Sequence, residues 1–302
     1  MIAGLLLALG SAALINLGFL FQHRGLRGLA RDASGGAPVL RSALRNRSWL
    51  AGQAIGWIGF IAQIGAVAIA PLSLVQAFAA GGLALSVPIA ARRFGLRIDR
   101  AQMLSVLAIA AGLAALPLGL PAMHERLHDP ALIVATGVGT LVALAFAASD
   151  SAWARAAAAG CLYGVADAAI KAVSLSLHRH GLAAVLSPWT GVAAVATFGG
   201  FLCFQSALQS DERAVTSISL MTAFAAIVAL VGGLAGFGES LGHGSAARLG
   251  HLAAIALVLG CVPILAAAHS ALAGGATSAL TRERRPRPEG DRLHQRAQAR
   301  RA

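Results

Sequence analysis

The chain has 302 residues, 57% of them apolar and only 12% charged, with a mean hydropathy of +0.73. Soluble globular domains carry about twice that share of charge, so a water-soluble enzyme is excluded. Lys and Arg outnumber Asp and Glu 24 to 12, a net charge of +12, but they collect between and beyond apolar runs, which marks cytoplasmic loops before it marks a nucleic-acid surface.

In chain order the apolar runs predict nine membrane helices, at 2–22, 50–70, 72–91, 102–119, 131–148, 155–176, 188–208, 213–236 and 249–270. Each is close to the roughly 20 residues that cross a hydrocarbon core. The first run has no basic segment ahead of it, is too long for the apolar stretch of a signal peptide, and is followed by Arg24, Arg27 and Arg31, so it reads as a retained helix with its N-terminus outside. Segment 23–48 mixes Leu26, Leu29, Val39 and Leu40 with six Arg, and fits an interfacial helix and a plain loop equally. With nine spans, 20 Arg fall in cytoplasmic segments and 3, namely Arg126, Arg179 and Arg248, fall outside. That bias puts the C-terminus in the cytoplasm and the protein in the inner or plasma membrane. The tail, 272–302, is Arg-rich with Pro286 and Pro288. It cannot bury enough apolar surface to fold, and reads as a disordered topology determinant or an anionic-lipid contact.

Gln76-Ala-Phe-Ala-Ala80 recurs as Thr222-Ala-Phe-Ala-Ala226, and both stretches lead to a break, Arg92-Arg93-Phe94-Gly95 in one case and Gly238-Glu239-Ser240-Leu241 in the other. An odd number of helix steps separates the third span from the eighth, so the copies cross the membrane in opposite directions. The expected fold is therefore an all-α, polytopic membrane bundle built from an inverted repeat: 1–120 as one half, 121–271 as the other, and the basic tail beyond. Such repeats place a solute site near midplane where the halves meet.

Asp167 and Lys171 form an ionisable pair deep in a predicted span, where either alone would cost about 2.5–3.5 kcal/mol. Their i,i+4 spacing puts them on one helix face, with Tyr163 a turn earlier and with Gly160 and Gly164, whose GxxxG spacing admits a close neighbouring helix. The functional reading is a coupling pair: Asp167 exchanges a proton or cation while Lys171 alternates between Asp167 and an anionic solute group. The alternative is a static salt bridge. Asn16, Gln53, Gln63, Gln76, Gln205 and Thr222 lie in or near the middle of spans, as cavity lining or as interhelical hydrogen bonds. Pro88 and Pro263 predict kinks. Asp150 and Asp211-Glu212-Arg213 read as solvated loop charges, and His124, His128, His178 and His180 as loop residues that complete no metal site. Cys161, Cys203 and Cys261 each sit alone in an apolar run, which indicates neither disulfides nor zinc. No P-loop, GxSxG or HExxH is present, which excludes an ATP-driven pump and common hydrolases.

Three stretches carry a family likeness: Phe21-Gln22-His23-Arg24-Gly25-Leu26, Ala70-Pro71-Leu72-Ser73-Leu74-Val75-Gln76 and Gly164-Val-Ala-Asp-Ala-Ala-Ile-Lys171. Through them the membrane part resembles the drug/metabolite transporter superfamily, and within it the NIPA-type magnesium transporters. The resemblance implies nine or ten helices that move a small solute by alternating access without a cofactor. The chain departs from the NIPA pattern at Arg93-Phe94-Gly95, and Asp167 has a lysine one turn away where Mg²⁺ would want more oxygen ligands.

The expectation is a non-enzymatic secondary transporter of a small polar or amphipathic solute, probed at Asp167, Lys171, Tyr163, Asn16, Gln63, Gln76, Gln205 and Thr222. Its expected partners are the lipid bilayer, the solute and a second copy in a homodimer, with no nucleic acid, metal centre or cofactor. The alternatives are a divalent-cation transporter and a non-transporting scaffold or partner subunit.

Overall fold

The computed structural model describes residues 2–29, 43–82, 84, 85, 88, 99–115, 126–208, 214–240, 244–261 and 264, and the described part is all helical. Its elements are α1 (Ile2–Leu29), α2 (Arg47–Ile69), α3 (Leu72–Ala80), α4 (Arg100–Ala115), α5 (Asp129–Ala147), α6 (Ala152–His180), α7 (Pro188–Leu208), α8 (Ala214–Gly236) and α9 (Ser245–Cys261). Among the described residues, five helices, α1, α2, α5, α6 and α7, are long and apolar enough to cross a membrane. The helices fall on the expected apolar runs but differ at their ends, and the third expected span, 72–91, is broken: its helix stops at Ala80 and a turn follows at Gly81-Gly82. α1 continues seven residues past 22, and α6 begins before 155 and ends after 176. The break at 92–95, the segment 211–213, His124, Pro263 and the tail lie outside the described residues.

Local chemistry sets the boundaries. Asn46 caps α2, its Oδ1 accepting from Ser48 N at 2.9 Å and Trp49 N at 3.2 Å. Asp99 and Gln102 exchange side-chain and backbone bonds at the start of α4, a reciprocal capping box. Pro71 stops α2: the residue before a proline is driven out of the helical region, and Ala70 is extended at φ −139°, ψ 158°. Gly181 ends α6 at φ +57°, a 3₁₀ turn (Gly181–Leu186) follows, and Pro188 opens α7 at the position where its missing N–H costs nothing.

α6 is the central helix. Of its membrane-length window 83% is buried, against 22–39% for the other four. Glycines bring its neighbours close. A Cβ on Gly160 would stand 2.4 Å from Met221 O, and one on Gly164 2.7 Å from Val228 Cβ, so the GxxxG face docks on α8 at backbone distance, as its spacing predicts. α1 and α2 are stitched in the same way, with Gly18 against Gly52 O and Gly59 against Ser11 O. α3 lies between α1 and α8, and Gly112 of α4 sits against Val258 and Ala254 of α9. The outward faces are apolar: Trp57 and Ile61 on α2, Leu141 on α5 and Val195 on α7 are all more than half exposed. Cys161 is buried, Cys203 and Cys261 are half-buried, and all three are free thiols.

Candidate functional site

Pro71 is the origin of the site. By ending α2 and starting α3 with only two residues between them, it leaves a carbonyl end and an N–H end side by side, and Gln76 is buried one helical turn beyond the break. α6 crosses this junction with its polar face. Gln76 Nε2 donates to Asp167 Oδ2 at 2.5 Å, and Lys171 Nζ donates to the Ala70 carbonyl at 2.9 Å. Asp167 is 9% exposed and Lys171 1%. The sequence set these two residues against each other on α6, and the structure sets both against the α2–α3 junction. The Lys171 ammonium sits at the C-terminal end of α2, where the helix dipole favours a cation.

Asp167 has a second polar neighbour in Gln63 of α2. Gln63 is itself oriented from α1, its Oε1 accepting from Ser11 Oγ at 3.0 Å. Because that oxygen is engaged, the amide nitrogen is the end left for Asp167. Buried polar groups from four helices thus gather here: Ser11 of α1 bonded to Gln63 of α2, and Gln76 of α3 bonded to Asp167 of α6. Deep in the bundle such groups are stable only when they are satisfied by one another.

A second polar contact lies about 10 Å further along α2, judged by the helical rise from Gln63 to Gly56. There Gln205 of α7 donates to Gln22 Oε1 of α1 at 2.8 Å, beside Gly52 and Gly56. Gln205 Oε1 is buried with no hydrogen-bond partner among the described residues. Phe19 and Phe204 pack 4.7 Å apart next to it. Polar groups therefore run along the inner side of α2 from Ala70 to Gly56, about 20 Å at 1.5 Å per residue, inside an otherwise apolar bundle.

The remaining predicted residues fall outside these two contacts. Tyr163 packs its ring on Gly200 of α7. Asn16 donates to Ala12 O of its own helix at 2.9 Å, and Thr222 to Ile218 O at 2.9 Å. The internal repeat equated Gln76 with Thr222, yet Gln76 reaches Asp167 while the Thr222 hydroxyl bonds back to its own turn. Gln53 is half-buried and Asp150 is exposed.

Sequence reasoning missed three participants. Ser11 gave no pattern, being one polar residue in an apolar run, and Gln22 entered only through the family-likeness stretch at the end of the first span. Glu239 was noted in a break and as an acid kept only in the second half, but not as a site residue. In the structure it is 5% exposed and accepts from Leu72 N at 2.5 Å and Ser73 N at 2.9 Å. Its isolation as an acid at the end of a span was the available signal. Among the described residues, no group of three His, Cys, Asp or Glu side chains stands together as a metal site. Compared with known proteins, the chain matches no family model, no curated protein and no solved structure.

Proposed function

We propose that this protein is an integral-membrane secondary transporter that moves a small polar or amphipathic solute by alternating access, with Asp167 and Lys171 at the centre of its pathway. The reading rests on one observation above others: a buried carboxylate and a buried ammonium, one turn apart on α6, engage a helix break supplied by the other half of the chain. Buried ionisable groups in an apolar bundle are costly, and transporters place them at broken helices where halves meet.

The packing supports two related halves, 1–120 and 121–271. α1 packs on α2 and α3, as α6 packs on α7 and α8. α3 meets α8, and α4 meets α9, each across the division. In this proposal the chain has nine spans in the inner or plasma membrane, with the N-terminus outside and the C-terminus in the cytoplasm, and belongs with the drug/metabolite transporters. The hydrogen bonds favour a proton-coupled organic solute over Mg²⁺. Gln76 turns a donor toward Asp167, the Gln63 oxygen is taken by Ser11, and the Ala70 carbonyl holds an ammonium, so the oxygens a hard cation needs are directed elsewhere.

Flux in proteoliposomes tests this, with wild type beside Lys171→Ala and Asp167→Asn, Mg²⁺ and H⁺ followed, and a mixed metabolite pool outside. Metabolite-elicited proton flux that both substitutions abolish supports the proposal. Mg²⁺ flux without metabolites, undiminished in Lys171→Ala, replaces it with a cation permease. No flux under either condition, with cellular function intact in Asp167→Asn/Lys171→Met, points to a scaffold.

A further inference from the structure

The α2–α3 break is held from both sides by charges of the second half. Lys171 donates to the Ala70 carbonyl on the α2 side. On the α3 side the Glu239 carboxylate takes the first two helical amides, Leu72 N through Oε1 and Ser73 N through Oε2, 167 and 166 residues away in sequence. Pro71, at the N-cap position of α3, makes no side-chain cap. Glu239 therefore supplies from a distance what a Ser or Asp cap supplies locally, at the helix end whose dipole favours an anion.

The end of α8 is shaped to present this carboxylate. The amides of Phe237 and Glu239 both return to the Gly233 carbonyl at 3.2 Å, and Gly238 takes φ +64° between them. A Cβ on Gly233 would stand 2.6 Å from Glu239 Oε2, so only glycine leaves the carboxylate its seat. Gln76 lies one turn deeper in α3 than Leu72, and Asp167 one turn before Lys171 in α6. The Glu239 contact thus stands about 6 Å to one side of the Asp167 cradle, between it and one end of the bundle.

We infer that Glu239 is a gate: its contact with the Leu72 and Ser73 amides seals this end over Asp167, and the end opens when the carboxylate leaves the α3 N-terminus. The contact joins the two halves, so relative motion between them has to break it. Water can replace the carboxylate on exposed amides, which keeps the open state within reach. What passes the gate rests on the transporter reading above, whereas opening can be measured without any transport.

The experiment places one thiol at the gate, Ser73→Cys, in a chain carrying Cys161→Ala, Cys203→Ala and Cys261→Ala. It is reconstituted in liposomes and labelled with a membrane-impermeant maleimide. Leu182→Cys, at the same end of α6 and 84% exposed, calibrates the rate. With Glu239 intact, Ser73→Cys labels far more slowly than Leu182→Cys. Glu239→Gln, and separately Gly233→Ala, raise the rate about tenfold, the population change expected from losing a charge-assisted hydrogen bond. Helicity by circular dichroism stays unchanged; a merely structural cap would instead show α3 unravelling as lost helix signal. Unchanged labelling in both variants, or parent labelling as fast as Leu182→Cys, overturns the gate. Faster labelling with no solute flux leaves the gate standing and removes the transporter; flux with unchanged labelling does the reverse.

Discussion

Gln76 donates its side-chain amide to Asp167 across 91 residues of sequence, and the contact joins the short helix α3 to the buried face of α6. It is a hydrogen bond to a carboxylate that is 9% exposed, so losing it leaves a polar group unsatisfied where water enters with difficulty. Gln76→Leu should destabilise the purified protein by about 1.5–3 kcal/mol. Thermal unfolding in detergent measures this. In a double-mutant cycle with Asp167→Asn, the two losses should fall short of additivity by about 1 kcal/mol or more. Additive losses would mean the pair does not interact.

Lys171 offers a different prediction because its partner is backbone. No side-chain substitution can remove the Ala70 carbonyl, so Lys171→Met leaves that acceptor short of a charged donor and removes a cation from the α2 C-terminus. Unfolding in mixed detergent micelles should show a loss of about 1–3 kcal/mol. Lys171→Arg keeps the charge but needs more room at a site 1% exposed, and should recover only part of the loss. Full recovery would show the pocket to be looser than this packing.

The glycine face of α6 can be tested against an internal control. A Cβ at Gly160 or Gly164 would strike backbone atoms of α8, whereas one at Gly137 of α5 meets nothing within 4 Å. Gly164→Val should therefore part α6 from α8 and cost about 1–3 kcal/mol or prevent folding. Gly137→Ala should be neutral or stabilise by up to about 1 kcal/mol, because alanine is the better helix former. Equal effects at the two positions would contradict close α6–α8 contact.

The outward faces give a fourth prediction. Ile61 of α2 and Leu141 of α5 are 66% and 68% exposed, in helices long enough to cross a membrane. In lipid these side chains are solvated by acyl chains. Ile61→Ala should then change stability little, while Ile61→Asp should oppose insertion by about 2.5–3.5 kcal/mol near the centre of the span. Alkaline extraction of isolated membranes reads this: wild type and Ile61→Ala stay in the pellet and Ile61→Asp is partly released. Release of the wild type would remove the membrane reading itself.

Much of the helical framework was legible because it follows from short-range rules. Apolar runs of about 20 residues mark the helices, and the Gly160–Gly164 spacing marks a close contact although not its partner. Asp167 and Lys171 stood out because charge inside an apolar run is costly unless it is paired or used. Thr222 shows the limit of this reasoning: the repeat pattern matched it to Gln76, yet its hydroxyl bonds to Ile218 of its own turn, a local partner that a helical serine or threonine can take without any tertiary contact.

Composition and spacing determined by themselves that this chain forms apolar helices and which face of α6 carries charge, since hydropathy and backbone sterics act over a few residues. Only the tertiary structure decided that Asp167 is met by Gln76 and Gln63, that Ala70 receives Lys171, and that Glu239 caps α3 from 167 residues away. A hydrogen bond depends on distance and angle in space, and for residues so far apart in the chain these arise only when the helices pack.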